Sequence, residues 1–162
     1  MANTYIKLNN TTLTTASSTI TFSSIPNTYK DLVLHFSGRC TAVNYDVNIS
    51  FNGSTASFAT KRLYSNGSTN STDSPARFTG FITGSTDLAN TFGDSSVYIH
   101  QYAAAVNKQY YVTMNQPSNA NTTYFGISHG MWSVTTAINS ITITSASGNF
   151  EVGTTAYLYG IS

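Results

Sequence analysis

Apolar and polar residues alternate with a period of two along most of the chain, the signature of strands with one buried face. Ile20 and Phe22 alternate with Thr19 and Thr21, and Leu32, Leu34 and Phe36 with Val33 and His35. The same period returns at Val47, Ile49 and Phe51, at Val97 and Ile99, at Tyr110 and Val112, and at Ile141 and Ile143 between threonines. No window sustains a helical period. Turn signals lie between these runs, at Pro26-Asn27, Asn52-Gly53, Asn66-Gly67, Ser147-Gly148-Asn149 and Val152-Gly153-Thr154. Asn-Gly pairs tolerate the positive φ that a tight hairpin needs. Ser65 to Ser74 has no apolar residue and reads as a flexible loop. The pattern predicts about ten short strands and an all-β fold, a two-sheet antiparallel β-sandwich of jelly-roll-like form. Residues 16–162 make a single sandwich domain, and residues 1–15 an N-terminal arm or first strand. In the stretch Ala2 to Thr15 the apolar anchors of a docking segment are Tyr5, Ile6 and Leu8.

Composition changes this picture in one respect. Charged residues are 8% of the 162 positions, against about 25% in an ordinary soluble domain, while Ser, Thr and Asn supply 64 of them. Threonine fits a pleated surface and covers the outer face of a strand without a charge. Lysines on edge strands are the usual guard against edge-to-edge pairing, and net charge keeps a monomer dispersed; here the net charge is +1. Both deficits vanish if much of the surface is shared with other copies, so the sequence predicts a self-associating homo-oligomer closed by symmetry, a trimer. The seven Lys and Arg residues are dispersed, which excludes a phosphate-neutralising stripe and hence nucleic acid as a partner. The opening "MANTYIKLNN" carries no basic n-region and no continuous apolar stretch, so no signal peptide or membrane anchor is expected and synthesis is placed in a cytoplasm. Cys40, the single cysteine, is expected to be a small buried residue.

Candidate chemistry is sparse. The six carboxylates are Asp31, Asp46, Asp73, Asp87, Asp94 and Glu151; most stand beside turn residues, where they bond local backbone rather than form a glycosidase pair. His35, His100 and His129 lack a second His or Cys at ligand spacing, and His35 falls on the face opposite Leu34 and Phe36. No phosphate loop, calcium loop or Cys-x-x-Cys pair occurs, so no cofactor or metal is expected and the reading is non-enzymatic. The aromatics are the stronger signal, with 11 Tyr and 9 Phe. In "TYFGISHGMWSV" a period of two puts Tyr124, Ser128 and Trp132 on one face and Phe125, Ile127, His129 and Met131 on the other. With the second set inward, Tyr124 and Trp132 become an exposed platform. Such a platform packs against a neighbouring subunit or, as the alternative, stacks on the sugar rings of a polysaccharide.

The segments "STITFSSIPNTYKDLVLHFSGR", "ISFNGST", "KRLYSNGS", "ANTFGDSSVYIHQYA" and "INSITITSASGNFEVGTTAYLYGIS" together resemble a family of short β-rich proteins of tailed bacteriophages, notably aquatic and cyanobacterial phages. The resemblance runs from about Ile20 to Ile161. It implies a virion structural role as a capsid decoration, head fibre or tail fibre protein, with phage capsid or tail proteins as partners and the virion as location. It implies no catalytic residues, because the shared segments are strands and turns.

Overall fold

The computed structural model describes residues 4–43, 46–118 and 123–162. Within them lie twelve strands: β1 (Tyr5–Thr12), β2 (Thr19–Phe22), β3 (Asp31–Gly38), β4 (Asp46–Phe51), β5 (Phe58–Ser65), β6 (Asn70–Asp73), β7 (Phe78–Phe81), β8 (Gly93–His100), β9 (Lys108–Gln116), β10 (Tyr124–Trp132), β11 (Ile141–Ser145) and β12 (Thr155–Ile161). They form an eight-stranded sheet in the order β1-β12-β3-β8-β9-β10-β5-β6 and a four-stranded sheet in the order β2-β11-β4-β7. Every pairing is antiparallel. The chain changes sheet at nearly every connection, keeping only the hairpin β5–β6 and the meander β8–β9–β10 within one sheet. That sheet-crossing order is the jelly-roll form of the β-sandwich.

The core lies between the sheets and is made by the alternating residues. Leu32, Leu34 and Phe36 of β3, Val97 and Ile99 of β8, and Tyr110, Val112 and Met114 of β9 face Ile20, Phe22, Val47, Ile49, Phe51, Ile141 and Ile143 of the smaller sheet. Phe51 is the hinge of an aromatic cluster, with ring centroids 5.5 Å from Phe58, 5.8 Å from Tyr110 and 5.5 Å from Trp132. Cys40 is fully buried, and its thiol donates to the Ala42 carbonyl at 3.1 Å.

Turn chemistry follows the residue types. Asn52 and Gly53 both take positive φ, 52° and 72°, and Ser54 N–H donates to the Phe51 carbonyl at 2.9 Å, the geometry for which Asn-Gly is suited. Twelve strands replace the ten expected, and one of the additions corrects a loop: Ser65 to Ser74 is mostly a hairpin. Asn66 Oδ1 accepts from the N–H groups of Ser68 (3.0 Å) and Thr69 (2.7 Å), which tightens the turn and lets Asn70–Asp73 pair with β5. Hydroxyls on both faces of this edge strand hid it from a pattern that depends on burial.

Candidate functional site

The phase of β10 is opposite to the one expected. Trp132 is 2% exposed and belongs to the core; half-buried Tyr124 packs inward against Tyr64 and Phe81, with centroids at 6.1 and 5.6 Å. The exposed platform of Tyr124 and Trp132 is therefore corrected. Its outward counterparts are Phe125, Ile127, His129 and Met131 of the same strand. The reason lies in Gly126 and Gly130, which share the inward face. A Cβ on Gly130 would stand 2.1 Å from the Tyr110 ring, and one on Gly126 would stand 2.4 Å from the Leu63 carbonyl oxygen. The space above these glycines is filled by side chains and backbone of neighbouring strands, so a face that looks poor in apolar groups still faces the core.

The N-terminal segment is the first strand. β1 pairs along β12 from Tyr5↔Ile161 to Thr12↔Thr155, with a bulge between Lys7 and Asn9. Tyr5 and Ile6 are exposed, the Tyr5 ring lies 6.1 Å from that of Tyr159, and Leu8 is packed on the core. Ala2 lies outside the described residues.

Register across the large sheet gathers tyrosines, histidines and lysines on its outward face. One transverse row reads Lys7, Tyr159, Val33, Tyr98, Tyr111, His129 and Lys61 across β1, β12, β3, β8, β9, β10 and β5. The next reads Tyr157, His35, Ser96, Thr113, Ile127, Leu63 and Thr72. All three histidines lie on this face. Tyr98 and Tyr111 are stacked, 5.3 Å apart and 7° from parallel, and His100 sits 4.7 Å from Tyr98 and 5.7 Å from Tyr111. His35 lies 5.8 Å from Tyr159. Between these rings Val33 is buried although it points outward.

Two depressions flank the Tyr98–Tyr111 pair. The first, about 720 Å³, has Leu63 and Ile127 on its floor with Tyr111, His129 and Lys61 around it, and it runs on into a groove of about 370 Å³ beside Phe125. The second, about 700 Å³, is polar and is lined by Lys30, Asp31, Tyr98, His100, Gln101, Asn107 and Gln109, with Val106 beside them. Asp31 is buried. Its Oδ2 accepts from the Tyr98 hydroxyl and its Oδ1 from the Gln101 N–H, both at 2.7 Å.

The other carboxylates hold the fold together. Arg62 bridges Asp46 (3.1 Å) and Asp73 (2.5 Å) while lying over the rings of Tyr64 and Phe81 at 5.0 Å. Glu151 meets Arg39 at 3.1 Å, Asp87 accepts from Gly84 N–H and the Gln116 amide, and the Asn115 amide reaches Asp94 at 3.4 Å. Among the described residues, no group of three or more His, Cys, Asp or Glu is placed to hold a metal ion.

Three tyrosines set the response to alkali. Partial burial, then the bond to Asp31, pushes the Tyr98 pKa up to about 12; burial also raises Tyr102 and Tyr110 above the usual value. A group with a raised folded-state pKa stabilises fully below its unfolded value and loses that stabilisation as pH rises through the folded one. The fold is thus expected to weaken between pH 10 and about 12. Lys108, lowered by burial, acts in the opposite sense, while the Cys40 thiol, raised by burial, acts in the same sense as the tyrosines. Urea midpoints at rising pH test this: Tyr98→Phe should flatten the decline, and a wild-type midpoint constant across the window would refute it.

Comparison of the chain with protein-family models, with curated proteins and with solved structures returned no match.

Proposed function

We propose that this chain is a non-enzymatic structural protein of a bacteriophage particle, a β-sandwich that self-associates, as a trimer, and docks on a capsid or tail. The particle setting rests on the resemblance of its strand and turn segments to phage virion proteins. Self-association rests on one observation: Leu63, Ile127 and Phe125 stand together on the outward face, 48%, 57% and 54% exposed, with Leu63 and Ile127 directly paired across β5 and β10. An apolar patch on a chain with 8% charged residues is the kind that another protein covers; Thr72 and Thr113 border it together with Lys61 and the Arg62–Asp73 pair. The occupant proposed is a second copy of the chain, arranged around a closed axis so that the contact does not propagate into a filament. Tyr5 and Ile6, exposed on edge strand β1, are the residues proposed to meet the particle.

Light scattering on the purified protein tests self-association. Each half-exposed side chain contributes on the order of 1 kcal/mol when covered, so the double variant Leu63→Ser, Ile127→Ser should weaken association roughly thirtyfold. A wild-type protein that stays monomeric at high concentration would sink the proposal.

A further inference from the structure

The polar depression at the β8–β9 end of the large sheet has no part in the self-association patch, and its walls are held unusually firmly. The connection from Gln101 to Asn107 forms one side of it. At its start, Gln101 adopts φ 45°, a left-handed conformation that a non-glycine residue seldom takes, and its N–H is pinned by Asp31. Next, the hydroxyl of fully buried Tyr102 donates to the Pro26 carbonyl, and Ile138 N–H bonds the Tyr102 carbonyl at 3.0 Å. At the end, Lys108, fully buried, donates from Nζ to the carbonyls of Ala104, Val106 (2.6 Å) and Thr135 (3.1 Å). Three buried polar groups thus fix one short connection. Such pinning fixes the shape of the depression that the connection lines, as a preformed site needs.

We propose that this depression binds a neutral saccharide through Asp31, Tyr98, His100, Gln101, Asn107 and Gln109. The ring surfaces of Tyr98 and His100 and the exposed Val106 side chain offer apolar area to the C–H face of a pyranose. Around them stand the carboxamides of Gln101, Asn107 and Gln109, all exposed, which pair with vicinal hydroxyls as both donor and acceptor. Asp31 adds a carboxylate with an oxygen lone pair left beside each bond it already accepts. Lys30 and Asp31 both line the depression, so their opposite charges balance and favour neither an anion nor a cation, and the amides oppose a purely apolar ligand, which leaves a neutral polyhydroxyl ring as the matching chemistry. The site is open and shallow, so affinity per copy is low. Repetition in an oligomer would raise it only for a polysaccharide long enough to span several copies, so short oligosaccharides read the single site independently of self-association.

Saturation-transfer NMR with the full chain tests it, using maltohexaose, cellohexaose, mannohexaose and xylohexaose as neutral probes and an oligouronate of similar length as the anionic one. Transfer to ring protons of at least one neutral hexaose is expected. It should fall at least fivefold in His100→Ala and in Asn107→Ala, both exposed positions, and be unchanged in the double variant Leu63→Ser, Ile127→Ser. No transfer to any neutral hexaose would overturn the proposal, as would transfer to the oligouronate alone or signals undiminished in both site variants. Loss of the signal in the Leu63, Ile127 variant would place the contact in the apolar groove and overturn it equally. Light scattering on the same samples reads the oligomer separately, so the two proposals fail independently.

Discussion

Replacing Arg39 by alanine is expected to lower the free energy of unfolding by about 3–5 kcal/mol, the cost typical of removing one partner from a buried ionic network. Arg39 is 6% exposed and stands just after β3. Its Nε meets Glu151 at 3.1 Å, and the two terminal nitrogens donate to four carbonyls: Leu88 (3.0 Å), Thr91 (3.4 Å), Asp87 (3.2 Å) and Ser85 (3.5 Å). One guanidinium therefore holds the whole connection between β7 and β8. Of seven cationic residues, Arg39 and Lys108 are buried, and at Arg39 the planar fork of five donors is what satisfies so many acceptors at once. Arg39→Lys should fall between wild type and Arg39→Ala, since an ammonium reaches fewer of these carbonyls. Glu151→Gln, at a more exposed position, should cost far less. Urea midpoints at unchanged slope give the comparison. A loss below about 1 kcal/mol for Arg39→Ala would mean that water replaces the guanidinium, and the network argument would fail.

The same contrast between buried and exposed surfaces decides what could be read from the sequence. β2, β3, β4, β8, β9 and β11 announce themselves because one face of each is pressed against the opposite sheet, and Ile20, Leu34, Ile49, Val97, Val112 and Ile143 all point into the core as the alternation predicts. β6, "NSTD", carries no such imprint because an edge strand with both faces wet has no reason to alternate. β10 failed for a different reason. Its inward positions include Gly126, Ser128 and Gly130, and an apolar count ranks them below Phe125, Ile127 and Met131; only knowledge that Tyr110 lies across Gly130 reverses the ranking.

The outward face was half legible. Once Val97 and Ile99 are assigned inward, Tyr98 and His100 must point outward, and Tyr111 follows in the same way from Tyr110 and Val112. Their meeting was not legible, because it depends on the register Tyr98↔Tyr111 and on β3 bringing Asp31 alongside. Register is set by long-range pairing, and a shift of one residue would send each of these rings into the core. The patch of Leu63 and Ile127 likewise joins residues 64 positions apart in the chain. Hydroxyl-rich strands thus declare where they are buried far better than what they gather on the other side.

Trp132→Ala is the second large effect expected, about 3–5 kcal/mol of lost stability. The indole stacks on Phe58 at 6.0 Å and 26°, meets Phe51 edge-on at 5.5 Å, and donates from Nε1 to the Ala56 carbonyl at 3.2 Å. Truncation removes the transfer energy of a large side chain and leaves a cavity between the sheets beside two further rings, which collapse fills only in part. Trp132→Phe keeps an aromatic body there and loses chiefly the bond to Ala56, so its cost should be about 1 kcal/mol. Because Trp132 is the single tryptophan, its emission reports the core: it should be that of a water-shielded indole, and should stay unchanged when a saccharide occupies the Asp31 depression on the far face of the sheet. Emission typical of a solvated indole, or a loss under about 1 kcal/mol in Trp132→Ala, would return this residue to the surface and restore the opposite phase of β10, with Phe125 and Ile127 inside and the apolar patch gone.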